Sequence, residues 1–120
     1  MSTQSKSGKS GSKGKQQDTL LNRVDNNKME RAAAMLKVLA HPKRMAIVDL
    51  LGREESLTVT EIYTRLDMPQ AIASQHLITL KDRGVLTSVK QGTKIFYSLH
   101  VPKLTDVISC LENGLEEIGA

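Results

Sequence analysis

From Met29 onward the apolar side chains Met29, Ala32, Ala33, Leu36, Leu39 and Ala40 recur at spacings of three and four, the stripe of one helix face. Pro42 ends that run. Proline has a preset φ and no N–H, so it suits the first turn of a new helix, whose stripe of Met45, Ile47, Val48, Leu50 and Leu51 runs to Gly52, the expected terminator. LAHPKRMAIVDLLG is thus predicted to turn a sharp corner between two helices, with His41 as a carbonyl-capping or packing residue at the corner rather than a catalytic one. In TVTEIYTRL, Thr58 and Glu61 have capping-box spacing, which predicts a short third helix to about Leu66. A fourth follows DMPQ, with Asp67 available as its cap and Pro69 as a first-turn residue. Its buried stripe is Ala73, Leu77 and Leu80, and it ends near Gly84. VLTSVK and KIFYSL are β-rich runs separated by QGT, in which Gly92 can take the positive φ of a hairpin. Pro102 opens the last helix, where Leu104, Val107, Ile108, Leu111, Leu115 and Ile118 form a heptad-like stripe opposite a polar face.

Two short helices joined by three or four residues have the layout of a helix-turn-helix, and a hairpin after them makes a wing. The predicted fold is mainly α with a small β-hairpin: a winged helix-turn-helix of order α-α-α-α-β-β-α. At 120 residues and 39% apolar content the chain can build one small core. Tyr63, Phe96 and Tyr97 are its only aromatic residues, so that core is aliphatic and gains from burial against a second subunit.

Charge divides the chain again. Residues 1–17 hold four lysines and no acid, and their Ser, Gly, Lys and Gln composition predicts a disordered basic N-terminal arm preceding a folded unit over 18–120. The arm fits a solubilising tail as well as a nucleic-acid contact. Residues 81–103 carry Lys81, Arg83, Lys90, Lys94 and Lys103 against Asp82, whereas 104–120 carry four acids and no base. Such segregation suits a polyanion bound on one side. No apolar run approaches the roughly 20 residues of a membrane span, the N-terminus has no apolar core of a secretory signal, and one cysteine makes no intrachain disulfide. The expected location is cytoplasmic.

With Ala73, Leu77 and Leu80 turned inward, Gln70, Ala71, Ser74 and Gln75 remain near the start of the fourth helix. Glutamine can pair bidentately with an adenine edge, serine can serve base or phosphate, and alanine can touch a thymine methyl. Lys90 and Lys94 flank the hairpin tip Gln91-Gly92-Thr93 and are placed to straddle a phosphate backbone. An ordinary polar surface helix would show the same residues, so the hairpin adds weight that the helix lacks alone.

LKVLAHPKRMAIVDLL, MPQAIASQHLITLKDRGVL and VKQGTKIFYSL together closely resemble the ArsR/SmtB family of bacterial transcriptional regulators over roughly residues 29–118. The most specific pieces are the L-x-x-L-A-H-P-x-R corner and the run that places Ser74, His76, Leu77, Leu80, Gly84 and Val85. The resemblance implies a homodimer clasped by its first and last helices, through Met29, Ala33, Leu36, Leu104, Val107, Ile108, Leu111 and Leu115. It also implies binding to double-stranded DNA at an inverted-repeat operator, usually as a repressor, with Gln70, Ala71, Ser74 and Gln75 as base or backbone contacts and Lys90, Gln91, Thr93 and Lys94 on the wing. Two-fold symmetry would set the two recognition helices about 34 to 36 Å apart. His76 is left to packing or a backbone hydrogen bond.

Metal-sensing relatives use a C-x-C beside the third helix, and here its positions hold Thr58 and Thr60. Their second place pairs D-x-H with H-x-x-E, and here it holds Val101, Lys103, Gly114 and Glu117. A threonine hydroxyl does not replace a soft thiolate, and a lone carboxylate cannot begin a zinc site. No metal or cofactor is expected. His100, Asp106 and Cys110 do not converge, because His100 precedes Pro102. Cys110 remains a redox candidate through a bridge to its copy in a second subunit, against the simpler reading of a small residue beside the dimer stripe. No nucleophile and base spacing or phosphate-cradling glycine loop points to an enzyme. Two alternatives stay open: a winged-helix protein-interaction module docked through its acidic last helix, and an anti-repressor competing for another regulator's site.

Overall fold

The computed structural model describes residues 19–23 and 25–119, so the basic arm expected over 1–17 lies outside the described residues. The element order is α1 (Leu20–Arg23), α2 (Asn26–Leu39), α3 (Pro42–Glu54), β1 (Leu57–Thr58), α4 (Val59–Arg65), α5 (Gln70–Asp82), β2 (Leu86–Gln91), β3 (Lys94–Leu99) and α6 (Leu104–Glu117). The chain divides into two units between Ala34 and Met35. The first carries α1 and the opening turns of α2. The second holds the core.

The mainly helical winged helix-turn-helix order is observed, with two additions. One is the single turn of α1. The other is β1, two residues that pair antiparallel with β3 through Leu57↔Tyr97 and Thr58↔Phe96, making a three-stranded sheet of order β1-β3-β2 where a two-stranded hairpin is expected. A two-residue strand is too short to leave an alternation in the sequence. The hairpin itself runs from Leu86↔Leu99 to Gln91↔Lys94, and Gly92 turns it at φ 64°.

His41 stands at the α2–α3 corner in extended conformation, and its Nδ1 accepts the Lys43 backbone N–H at 3.1 Å. It therefore satisfies an orphan donor at a helix start rather than a carbonyl, while its ring packs on that of His76, in line with the packing alternative. Gly52 is also corrected. α3 continues through it to Glu54 and stops where Glu55 takes φ 67°. A Cβ at Gly52 would sit 1.9 Å from Thr105 Cγ2, so this glycine admits the first turn of α6 instead of ending α3.

The capping box at α4 is formed: Thr58 Oγ1 accepts the Glu61 N–H at 3.2 Å, and Glu61 Oε1 accepts the Thr58 N–H at 2.8 Å. Asp67 does not cap α5. It takes φ 50° in the turn, and Pro69 occupies the cap position with Gln70 as the first helical residue. Pro102 likewise lies two residues ahead of α6, where its carbonyl accepts the Thr105 hydroxyl at 3.1 Å.

Ile47, Val48 and Leu51 of α3, Ile62 of α4, and Ala73, Leu77 and Leu80 of α5 are buried together with Val85 and Leu86. Full burial of such side chains contributes about 1.5 to 3 kcal/mol each for the larger ones. α3 sits at the centre, packed against α5, β3 and α6. This frame holds α5 by one face and leaves the other to solvent.

Candidate nucleic-acid interface

α5 turns by about 100° per residue, so burying Ala73, Leu77 and Leu80 points Ala71, Gln75, Ile78 and Asp82 the opposite way. All four are exposed, as is Gln70 at the helix start. Ser74 is half-buried on one flank of this strip. No side-chain hydrogen bond caps α5, so its first-turn N–H groups and the positive end of its dipole favour an anion alongside. Of the expected readers, Ala71 and Gln75 share the outward side, Ser74 stands at its margin, and Gln70 is exposed at the helix start above the buried stripe. The same 100° rotation carried one turn further places Ile78 on this outward side.

His76 lies on the other flank and fastens the helix. Its ring meets that of His41 edge to face, with centroids 4.5 Å apart. Its Nδ1 accepts from Arg44 Nε at 3.2 Å, while the same guanidinium donates to the Val38 carbonyl at 3.2 Å. His76 is therefore a packing residue with a side-chain partner, not a backbone one. Partial burial, followed by the positive surroundings of His41, Arg44 and Lys43, lowers its pKa from the usual histidine value.

On the wing, Gln91, Thr93, Lys90 and Lys94 are all exposed. Lys90 pairs with Ile95 and Lys94 with Gln91, so the two lysines leave opposite faces of the ribbon. Lys94 also lines an open groove of about 720 Å³ between the wing tip and the start of α4, together with Thr58, Thr60, Glu61 and Phe96. Hydrogen bonds from the Thr58 backbone and hydroxyl hold the Glu61 carboxyl below its ordinary pKa, with Arg65 and Lys94 adding to the effect. The hydroxyl at position 58 is thus committed to the helix cap. The groove joins residues far apart in sequence, which explains why no local pattern signals it.

The expected dimer residues differ in exposure. Leu36, Leu111 and Leu115 are more than half exposed, at 57%, 52% and 52%. Ala33 is exposed too, and Met29, Leu104 and Val107 are half-buried. Ile108, only 7% exposed, belongs to the chain's own core. A single stripe in the sequence conceals this difference because the first half of α6 packs against α3.

Cys110 is a free, exposed thiol. His100 is exposed and tied by its backbone N–H to the Val85 carbonyl at 2.9 Å. Among the described residues no three His, Cys, Asp or Glu side chains come close enough to hold a metal ion.

Residues 39–89 match the model of a helix-turn-helix domain. The transcriptional repressor PagR of Bacillus anthracis is 37% identical over 89 residues, covering 74% of this chain and 89% of that protein. Its crystal structure superposes with a TM-score of 0.66 at 38% identity, covering 72% of this chain and 99% of that one. The transcriptional repressor SmtB of Mycobacterium tuberculosis is 38% identical over 80 residues, 67% of this chain and 58% of that protein. The crystal structure of the antimony-specific repressor AntR aligns at a TM-score of 0.71 and 25% identity, covering 91% of this chain and 99% of that one.

Proposed function

Because the chain belongs to the ArsR/SmtB family of winged helix-turn-helix transcriptional regulators, we infer that it acts as a homodimeric repressor bound to an inverted-repeat operator. It is a DNA-binding regulator and not an enzyme. The observation that carries the finer reading is the two-sidedness of α5: Ala73, Leu77 and Leu80 are sealed into the core while Ala71 and Gln75 face outward beside Gln70. Short hydrogen-bonding groups there suit base edges in a major groove, and Ser74 at the margin suits a base or phosphate. Lys90, Gln91, Thr93 and Lys94 of the wing supply backbone contacts, Lys90 and Lys94 through counterion release.

Homodimerisation follows from surface chemistry. Leu111 and Leu115 of α6 and Leu36 of α2 are apolar side chains left in water by one chain, and a second copy covers them. Two copies related by a two-fold axis read two half-sites, hence an inverted repeat. Metal is not the signal, because Thr58, Thr60, Val101, Lys103 and Gly114 offer none of the soft or imidazole ligands that metal-sensing relatives use there. No helix among the described residues is long and apolar enough to cross a membrane, and the proposed place of action is the cytoplasm.

Titration of a labelled operator duplex at several salt concentrations tests this. Gln75→Ala is expected to relax discrimination at one base pair per half-site by about 1 to 3 kcal/mol. Lys94→Ala is expected to weaken all duplexes alike and make the salt dependence shallower. An unchanged titration for Gln75→Ala would remove the reading face, and a monomer whose binding vanishes at physiological salt would favour the protein-interaction module.

A further inference from the structure

Ile78 is 56% exposed in the middle of α5, a position that neither the core nor the sheet uses. It does not stand apart from the reading strip. Ala71, Gln75 and Ile78 follow one another at spacings of four and three, on the side directly opposite the buried stripe. Nothing local favours isoleucine here, because a β-branched side chain loses rotamer freedom in a helix and, exposed, buries little in return. Asp82 comes next on the same side, and a carboxylate there is repelled by the DNA backbone, so it marks where close approach ends. The strip facing DNA therefore closes on an apolar group.

We propose that Ile78 is a specificity-determining residue that reads the C5-methyl group of a thymine in the operator. This rests on the assignment of α5 as the helix that enters the groove. In the major groove the thymine methyl is the only apolar feature a base pair presents, so a branched aliphatic side chain discriminates thymine from cytosine by burial rather than by hydrogen bonding. The geometry also places the base. Ile78 lies three residues beyond Gln75, about 4.5 Å along the helix axis, against a spacing of about 3.4 Å between successive base pairs. For a helix lying along the groove the thymine is one or two steps from the pair read by Gln75.

The test uses the full chain and the operator recovered from a pool of randomised duplexes. Each thymine is replaced in turn by deoxyuridine, which removes the methyl group and leaves base pairing intact. Wild-type protein is expected to bind about fourfold more weakly when the methyl is missing at one position per half-site, the loss corresponding to one buried methyl group. Ile78→Ala is expected to weaken binding to the thymine duplex by a similar factor and to be indifferent to deoxyuridine at that position. The side chain is more than half exposed, so the variant keeps the core that folds the chain. Recovery of an operator without thymine within two steps of the Gln75 pair overturns the proposal, as does a flat deoxyuridine scan or equal sensitivity of Ile78→Ala and wild type. Gln75→Ala separates the two levels. If it relaxes specificity while the deoxyuridine scan is flat, only the role of Ile78 fails; if it leaves binding unchanged, the reading face fails and the role of Ile78 with it.

Discussion

α5 and α6 are amphipathic helices of nearly equal length, 13 and 14 residues, yet the chain treats their apolar faces in opposite ways. In α5 the whole stripe is consumed inside the chain, and the helix presents a defined outer surface. In α6 only Ile108 is buried, and Leu111 and Leu115 stay half in water. One helix buries its whole apolar stripe within the chain; the other leaves two leucines half in water. A recognition element has to be rigid before DNA arrives, whereas an assembly element has to be unsatisfied before its partner does.

The sharpest way to break this contrast is to empty the core beneath α5. Leu77→Ala is expected to lower the unfolding free energy by about 2 to 5 kcal/mol, the cost of a large-to-small change at a fully buried site. Denaturant titration should show the same loss at every protein concentration. The matching change on α6 pairs Leu111→Asp with Leu115→Asp. It should turn the proposed dimer into a monomer by light scattering and remove the concentration dependence of the thermal midpoint, leaving the helical content of one chain in place. A wild-type midpoint that already ignores concentration would refute the assembly role of α6.

Much of this was legible before any coordinates. The core of α5, the corner at Pro42, the capping box at Thr58 and the turn at Gly92 were each announced by a local rule, because periodicity and backbone restriction act over a few residues. What stayed hidden depends on neighbours distant in sequence. The pairing of Leu57 with Tyr97, the fastening of His76 by Arg44, and the inward turn of Ile108 all follow from how elements pack. The outward side of α5 was only partly legible. Gln70, Ala71 and Gln75 come from subtracting the buried stripe, but stopping that subtraction at the first two turns left Ile78 aside.

Gly52 shows how a local rule can mislead. Glycine is a common helix terminator, yet here the helix passes through it and the missing Cβ makes room for Thr105. Gly52→Ala is accordingly expected to destabilise by about 1 to 3 kcal/mol through overpacking, despite the better helix propensity of alanine. Adding Thr105→Ser removes the Cγ2 that collides and retains the hydroxyl bonded to Pro102, so it should recover part of the loss. A stabilised Gly52→Ala single variant would return Gly52 to the role of a residue tolerated only for its helix end. The effect sharpens the contrast between the two helices, because the start of α6 is fitted to α3 at this notch while Leu111 and Leu115 further along stay half exposed.

The smallest expected effect concerns the fastening of α5 itself. His76 accepts from Arg44 through Nδ1 and lies near His41 and Lys43 as well, so its neutral form is the one that fits the folded chain. With a folded pKa below the ordinary value of 6.5, its contribution is fully present above that value. As the pH falls through and below it, the unfolded chain takes up the proton first, and stability declines with acidification until the folded form is protonated too. His76→Asn retains an acceptor for Arg44 but cannot titrate. Between roughly pH 7 and pH 5, its unfolding free energy should fall less steeply than that of the wild type. Parallel slopes would mean that protonation of His76 is not linked to folding, and the grip of the α2–α3 corner on α5 would then be independent of pH.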